Sequence, residues 1–280
     1  MSVRWEVSSR HPGAVATLGE VWQYRKLLGF IGDRALRKMY RRTVLGWLWL
    51  FINPLFPIAM RALIFGGLLG VGSNGLPYFL FLLAGSVVWD TFSNSLVWGT
   101  RSLEMNRDLT DQIYHPRALL PFGNMTPALL NMALKVGVLV VAVIFYTAQD
   151  GRAYLRTDIG LLWAFAALAV ALLLALGISF FTAVWGETAR DIRFALSQLL
   201  SVWYLLTPVL YPLSQVPEKY RAWMLLNPLA IIVETFKWGL FGVGDLYRDE
   251  FAATAVAVLV LICVGLTYFS RAEARTVAER

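Results

Sequence analysis

Six apolar runs, separated by short polar stretches, dominate the chain beyond residue 43. They lie near 44–68, 78–100, 122–147, 160–186, 195–213 and 251–270. Each comes close to or exceeds the ~20 residues that a ~30 Å hydrocarbon core requires, so the pattern predicts six transmembrane helices. Residues 1–43 differ in kind. Val21, Tyr24, Leu28, Ile31, Ala35 and Met39 recur at steps of three and four, with Arg37, Lys38, Arg41 and Arg42 on the other faces. That spacing predicts an amphipathic helix from Val15 onward, lying in the plane of a membrane interface. Gly29 and Gly32 weaken it midway, and Asp33 is placed to cap a second piece. The basic start lacks the apolar core and cleavage site of a signal peptide.

The segment 214–250 is too apolar for a plain loop. It holds MLLNPLAIIV and TFKWGLFGVG, each too short to span and broken by Asn227-Pro228 and by glycines. Two half-helices dipping into the membrane and turning back fit this pattern, provided protein covers the freed backbone groups. Pro208 and Pro212 are expected to kink or end the fifth span just before it. No internal repeat is visible, which weighs against repeat-built carriers.

Composition agrees with an all-α integral membrane protein. Residues are 58% hydrophobic and 15% charged, where soluble domains are about 45–50% and about 25%. The net charge of +7 does not point to nucleic acid, because nine of the 25 Lys and Arg crowd into residues 1–43 against three acids. Such a segment suits anionic lipid. Residues 1–43, 101–121, 187–194 and 271–280 together hold 17 Lys and Arg, against six on the opposite side and two within spans. Positive-inside counting therefore places both termini in the cytoplasm. The chain divides into a cytoplasmic region 1–43, a six-span domain 44–270 and a tail 271–280.

Chemistry of catalysis is absent from the motifs. There is no GxxxxGK[ST] phosphate loop, no GxSxG and no HExxH, so no catalytic residue is nominated and no ATP site of that kind is expected. His11, His115 and Cys263 cannot make a usual zinc site. Three charges lie inside spans: Arg61, Asp90 and Lys135. Asp90 is twelve residues from the outer start of its span and Lys135 thirteen from the inner start of the next. Both fall near mid-membrane and are expected to face the bundle interior, as a structural ion pair or as a functional one. Arg61 is nearer the outer end, where snorkelling to headgroups is expected. Trp89, Phe92, Trp203, Tyr204 and Tyr211 have two readings. They line a conduit for sugar faces, or they are interfacial belts and filler.

One polar interruption stands out, RDLTDQIYHPRALLP at 107–121. Asp108 is placed as an N-cap and Asp111 sits in the positive first turn. Leu109 and Ile113 share a face, and Pro116 ends the helix near His115. Two turns of helix are unstable alone, so the segment needs a holder, either its own spans or a partner's groove. Glu187–Arg193 forms a smaller patch on the same side.

These residues also carry a family resemblance. YRRTVLGWLWLFINPL (40–55), FLLAGSVVWDTFSNSL (81–96), IYHPRALLPFGN (113–124), RDIRFALSQLLSVWYLLTPVLYPLSQVP (190–217) and LNPL (226–229) occur in order. Together they resemble type-2 ABC transporter permeases that export polysaccharides, above all the membrane subunit of O-antigen exporters, with capsule and teichoic-acid exporters near. The resemblance implies a homodimer of six-span subunits joined to two copies of an ATP-binding subunit that holds ATP and Mg. It also implies a lipid-linked polysaccharide as cargo, and outer re-entrant helices after the fifth span. Residues 106–115 take the place of the family's coupling helix, so Asp108, Leu109, Thr110, Asp111, Gln112, Ile113, Tyr114 and His115 are its expected ATPase contacts, with Arg190 and Asp191 as a secondary contact. His115 stands where similar members often have an aromatic, and Asp111 and Gln112 where they often have basic residues. Three other readings stand beside this one: a lipophilic-drug exporter, an ion-coupled carrier or channel using Asp90 and Lys135, and a glycolipid enzyme.

Overall fold

The computed structural model describes residues 19, 24–40, 48–112, 116–189 and 191–278, and every regular element among them is a helix. Helix α1 (Arg25–Tyr40) precedes α2 (Trp49–Arg61), which continues through the wider turns of a π-helix over Ala62–Leu68. After α3 (Tyr78–Thr100) come three short helices, α4 (Ser102–Met105), α5 (Arg107–Gln112) and α6 (Leu119–Asn124). Then follow α7 (Thr126–Asp150), α8 (Leu161–Thr188), α9 (Asp191–Leu205), α10 (Glu218–Leu225), α11 (Pro228–Phe241) and α12 (Arg248–Ala278). Five stretches are long and apolar enough to cross a membrane: 51–68, 78–100, 119–150, 161–188 and 248–272. They correspond to the first four and the last of the predicted runs.

The fifth run departs from expectation. Helix α9 stops at Leu205 after 15 residues instead of continuing to 213. Those residues rise about 22 Å, short of the ~30 Å core. Pro208 biases the residue before it away from helix and has no N–H of its own. The chain leaves α9 in tight turns, Thr207 N donating to Tyr204 O at 3.2 Å and Val209 N to Thr207 O at 2.7 Å. The 214–250 segment does hold two short helices, α10 and α11, bent by 98° at their break. Asn227 caps the second, accepting from Leu229 N at 3.1 Å. Every residue from Leu229 to Lys237 is buried, so α11 is wrapped by protein.

Helix α3 is the central post, packed on α7, α8 and α11. Apolar burial gives little drive between helices in lipid, so close packing at small residues carries the association. Ala164, Ala167, Ala171 and Ala175 form a buried seam along α8 at steps of three and four. Gly239 of α11 meets that seam so closely that a Cβ would sit 2.6 Å from Ala164 N.

Helix α1 runs unbroken through Gly29 and Gly32, which corrects the two-piece expectation. Gly32 is a contact point, where a Cβ would collide with Thr126 Oγ1. Asp33 pairs with Arg37 at 2.7 Å one turn on instead of capping. Ile31 and Ala35 are buried against α6 and the start of α7, so part of the apolar face meets protein where lipid was expected. Phe30 remains exposed. Val15 and Val21 lie outside the described residues. At the other end α12 continues to Ala278, so most of the expected tail extends the last helix.

Candidate functional site

The two mid-membrane charges meet. Lys135 Nζ of α7 donates to Asp90 Oδ2 of α3, and the lysine side chain is 5% exposed. Arg61 corrects the snorkelling expectation. Its Nη1 donates to the Tyr204 hydroxyl at 3.1 Å, with the guanidinium 4.6 Å from that ring's centroid. Tyr204 stands edge-on to Trp89 at 5.3 Å, and Phe92 edge-on to Trp203 at 5.3 Å. Four of the five candidate aromatics thus form one cluster joining α3 to α9. Trp89, Phe92 and Tyr204 are buried; they brace helices within this chain, which corrects their reading as an open lining. Trp203 and Tyr211 are half-buried. Trp203 Nε1 donates to Asn227 Oδ1 at 2.9 Å, and Tyr211 donates to Leu205 O at 3.0 Å.

Asn227 thereby ties the α10–α11 bend to the end of α9, adding bonds to Leu206 O and Thr207 Oγ1 at 3.2 Å each. Two further charged residues, which hydropathy alone does not single out, belong to the same construction. Lys237 is 1% exposed, donates to Pro208 O at 2.6 Å, lies 3.6 Å from the Phe81 ring centroid and 3.6 Å from Glu234 Oε1. The available signal was their spacing: two opposite charges three apart in IIVETFKWGL share a helix face. Neighbouring contacts gather the loops on this face, Tyr78 Oη donating to Leu210 O at 2.7 Å, Ser214 Oγ to Asn74 Oδ1 at 3.0 Å and Arg156 N to Leu240 O at 2.8 Å.

The opposite face carries α1, α4 to α6, the α8–α9 connection and the end of α12. Helix α5 covers 107–112 of the expected 106–115. Ile113, Tyr114, His115 and Arg190 lie outside the described residues, and Thr110, Asp111 and Gln112 are described in backbone only. Asp108 falls in the first turn, not at the cap; its carboxylate accepts from Arg34 Nη2 at 2.8 Å. Leu109 is 6% exposed and packs among Ile31, Leu103 and Leu119, so it anchors α5 and is not available to a partner. Asn106 donates to Ser102 O at 2.8 Å and Asn124 Oδ1 at 3.0 Å. Lys38 Nζ donates to Met105 O; partial burial and the nearby Arg34 lower its pKa. A helix too short to stand alone is therefore held by its own chain. Asp191 is exposed in the first turn of α9, the favourable end for an acid. Arg193, in the same turn, forms an ion pair with Glu104.

Known proteins share this plan of sequence. The model of the family described as "ABC-2 type transporter" matches residues 26–241. An O-antigen export system permease protein RfbA of Myxococcus xanthus is 30% identical over 258 residues, 91% of this chain and 95% of the relative. Its namesake in Klebsiella pneumoniae is 25% identical, over 89% of this chain and 93% of its own. The polysialic acid transport protein KpsM of Escherichia coli is 24% identical, over 86% and 92%. On a match to 26–241 and a 30% identical relative spanning nearly both chains, this protein belongs to the ABC-2 type transporter family.

Proposed function

We propose that the chain is the membrane subunit of an ATP-driven exporter that carries a lipid-linked, O-antigen-like polysaccharide out of the cytoplasm across the inner membrane. The observation that carries this reading is the match, over nine-tenths of both chains, to a permease named for O-antigen export. It works as a homodimer with two copies of a separate ATP-binding subunit, which supplies ATP, Mg and hydrolysis; the present chain has no phosphate loop. Positive-inside counting puts α1, α5 and both termini in the cytoplasm. In this topology α9 with the turns after it makes a sixth crossing, and α10–α11 form a re-entrant pair on the outer side.

Nucleotide binding draws the two ATPases together, and α5 transmits that motion. Its ties through Arg34–Asp108 and Leu109 lead into α1 and into the core around α6. A change at the docked helix therefore moves packed elements as a body, and differential affinity for nucleotide sets the direction. Asp111 and Gln112 imply basic residues on the partner's docking surface. A second reading, export of a capsule polysaccharide, is favoured by the polysialic acid transport relative.

A cysteine at Gln112 in a Cys263→Ala background tests the coupling. We expect it to cross-link to the co-expressed ATP-binding subunit, and replacement of 108–114 by glycine and serine to uncouple ATPase activity from transport. No cross-link together with unaltered ATPase activity contradicts the role of α5.

A further inference from the structure

On the α1 face, an open cavity of about 520 Å³ lies between the end of α3 and the first turns of α9. Its walls carry Thr100, Arg101, Glu104 and Arg193, with Val97 and Phe194 among the apolar ones. Two guanidiniums share one carboxylate there. Arg193 is paired to Glu104 directly, and Arg101 approaches the same oxygen at 3.7 Å, beyond hydrogen-bond length. The cavity therefore holds one positive charge in excess, and the Arg101 side chain is 53% exposed. From Phe194 the same helix exposes Leu199, Val202 and Leu205, and Leu206 follows just beyond its end. A cation-rich cavity at one end of a span thus opens onto an apolar track along that span.

We propose that this cavity seats the phosphate-bearing head of the lipid that carries the exported glycan, with the lipid tail along α9. The inference rests on the export reading above. Planar guanidiniums match phosphate oxygens in pairs, a geometry that a neutral lipid head cannot exploit. Basic pockets between spans on the cytoplasmic side suit phosphate head groups. Glu104 adds selectivity. An arriving anion must compete with it for Arg101 and approach its negative charge, so a weakly charged head gains little. A head of higher charge, free to bridge both arginines, gains more. Bulk phospholipid offers a single phosphodiester charge and is the weaker competitor.

The test uses the solubilised complex with its ATP-binding subunit, with dodecyl phosphate as probe and dodecanol as control. Affinity is read from the ligand-induced rise in unfolding temperature. Dodecyl phosphate should stabilise the complex where dodecanol does not, Arg101→Gln should weaken it about tenfold or more, and Glu104→Gln should tighten it. Arg193 ties α9 to α4 through Glu104, so Arg101→Gln, which leaves that pair in place, carries the test, and Glu104→Gln, which keeps the side chain's shape, supplies the opposite sign. In competition, purified lipid-linked glycan should displace dodecyl phosphate at least about tenfold better than dioleoyl phosphatidylglycerol. Unchanged affinity in both variants overturns the site, and equal displacement by phosphatidylglycerol overturns the assignment to the substrate lipid. Either result with export of glycan intact leaves the export reading standing. Failure of the unsubstituted complex to move glycan at all counts against that reading instead.

Discussion

Reversing Asp90 or Lys135 alone, as Asp90→Lys or Lys135→Asp, is expected to remove most assembled protein from the membrane, and reversing both to restore much of it. The pair joins α3 to α7 across the interior, with the lysine almost closed off from outside. Breaking a buried pair typically costs about 3–5 kcal/mol, because one charge is left without its partner. A single reversal is worse than a deletion, placing two like charges together. Whole-domain stability is only about 5–15 kcal/mol, so such a loss is decisive. The double reversal rebuilds the attraction in the same place. The neutral pair Asp90→Asn with Lys135→Met should also fold, since apolar replacement of both members is often near neutral. Membrane level and the monodisperse fraction in detergent measure this. A double reversal no better than either single one means the two charges are not coupled.

The second large effect belongs to Lys237. Its ammonium bonds Pro208 O, sits against the Phe81 ring and faces Glu234, all within the protein. Lys237→Ala removes three contacts at once, strands the Glu234 carboxylate and leaves a void, and is expected to cost about 3–5 kcal/mol. The turn after α9 loses its clamp to α11, so trypsin should cut at the exposed Lys219 and the half-buried Arg221 faster than in the unsubstituted protein. Glu234→Gln should be milder, because Lys237 keeps its carbonyl and its ring. Glu234→Gln combined with Lys237→Met should recover part of the loss. A Lys237→Ala protein with unchanged unfolding temperature and unchanged cleavage would show the clamp to be inert.

Features governed by local pattern were legible in the sequence. Hydropathy located four of the spans and the last helix, and Asn227-Pro228 marked the 98° bend. Depth counting alone brought Asp90 and Lys135 to one level. What depended on a neighbour in space was not legible. Snorkelling was the natural expectation for Arg61 until α9 supplied Tyr204. Leu109, on the apolar face of a short helix, is turned inward by α1 and α6, which no spacing rule specifies. The aromatics of α3 and α9 carry the same letters whether they face a conduit or each other. Pro208 signalled an end to α9, but the helix stops three residues earlier, where the Asn227 and Lys237 bonds take up the following carbonyls. The pairing of Glu234 with Lys237 was not legible because hydropathy weighs the segment by its apolar runs, whereas a charge buried inside α11 needs a partner.

The central claim is that this chain carries a lipid-linked polysaccharide out of the cytoplasm. Depleting it in cells, and then measuring lipid-linked glycan on the two faces of the inner membrane, tests that claim most directly. The account predicts accumulation of completed, lipid-linked polymer on the cytoplasmic face and its disappearance from the outer face, reversed when the chain is restored. Unchanged distribution of every lipid-linked glycan after depletion would contradict it.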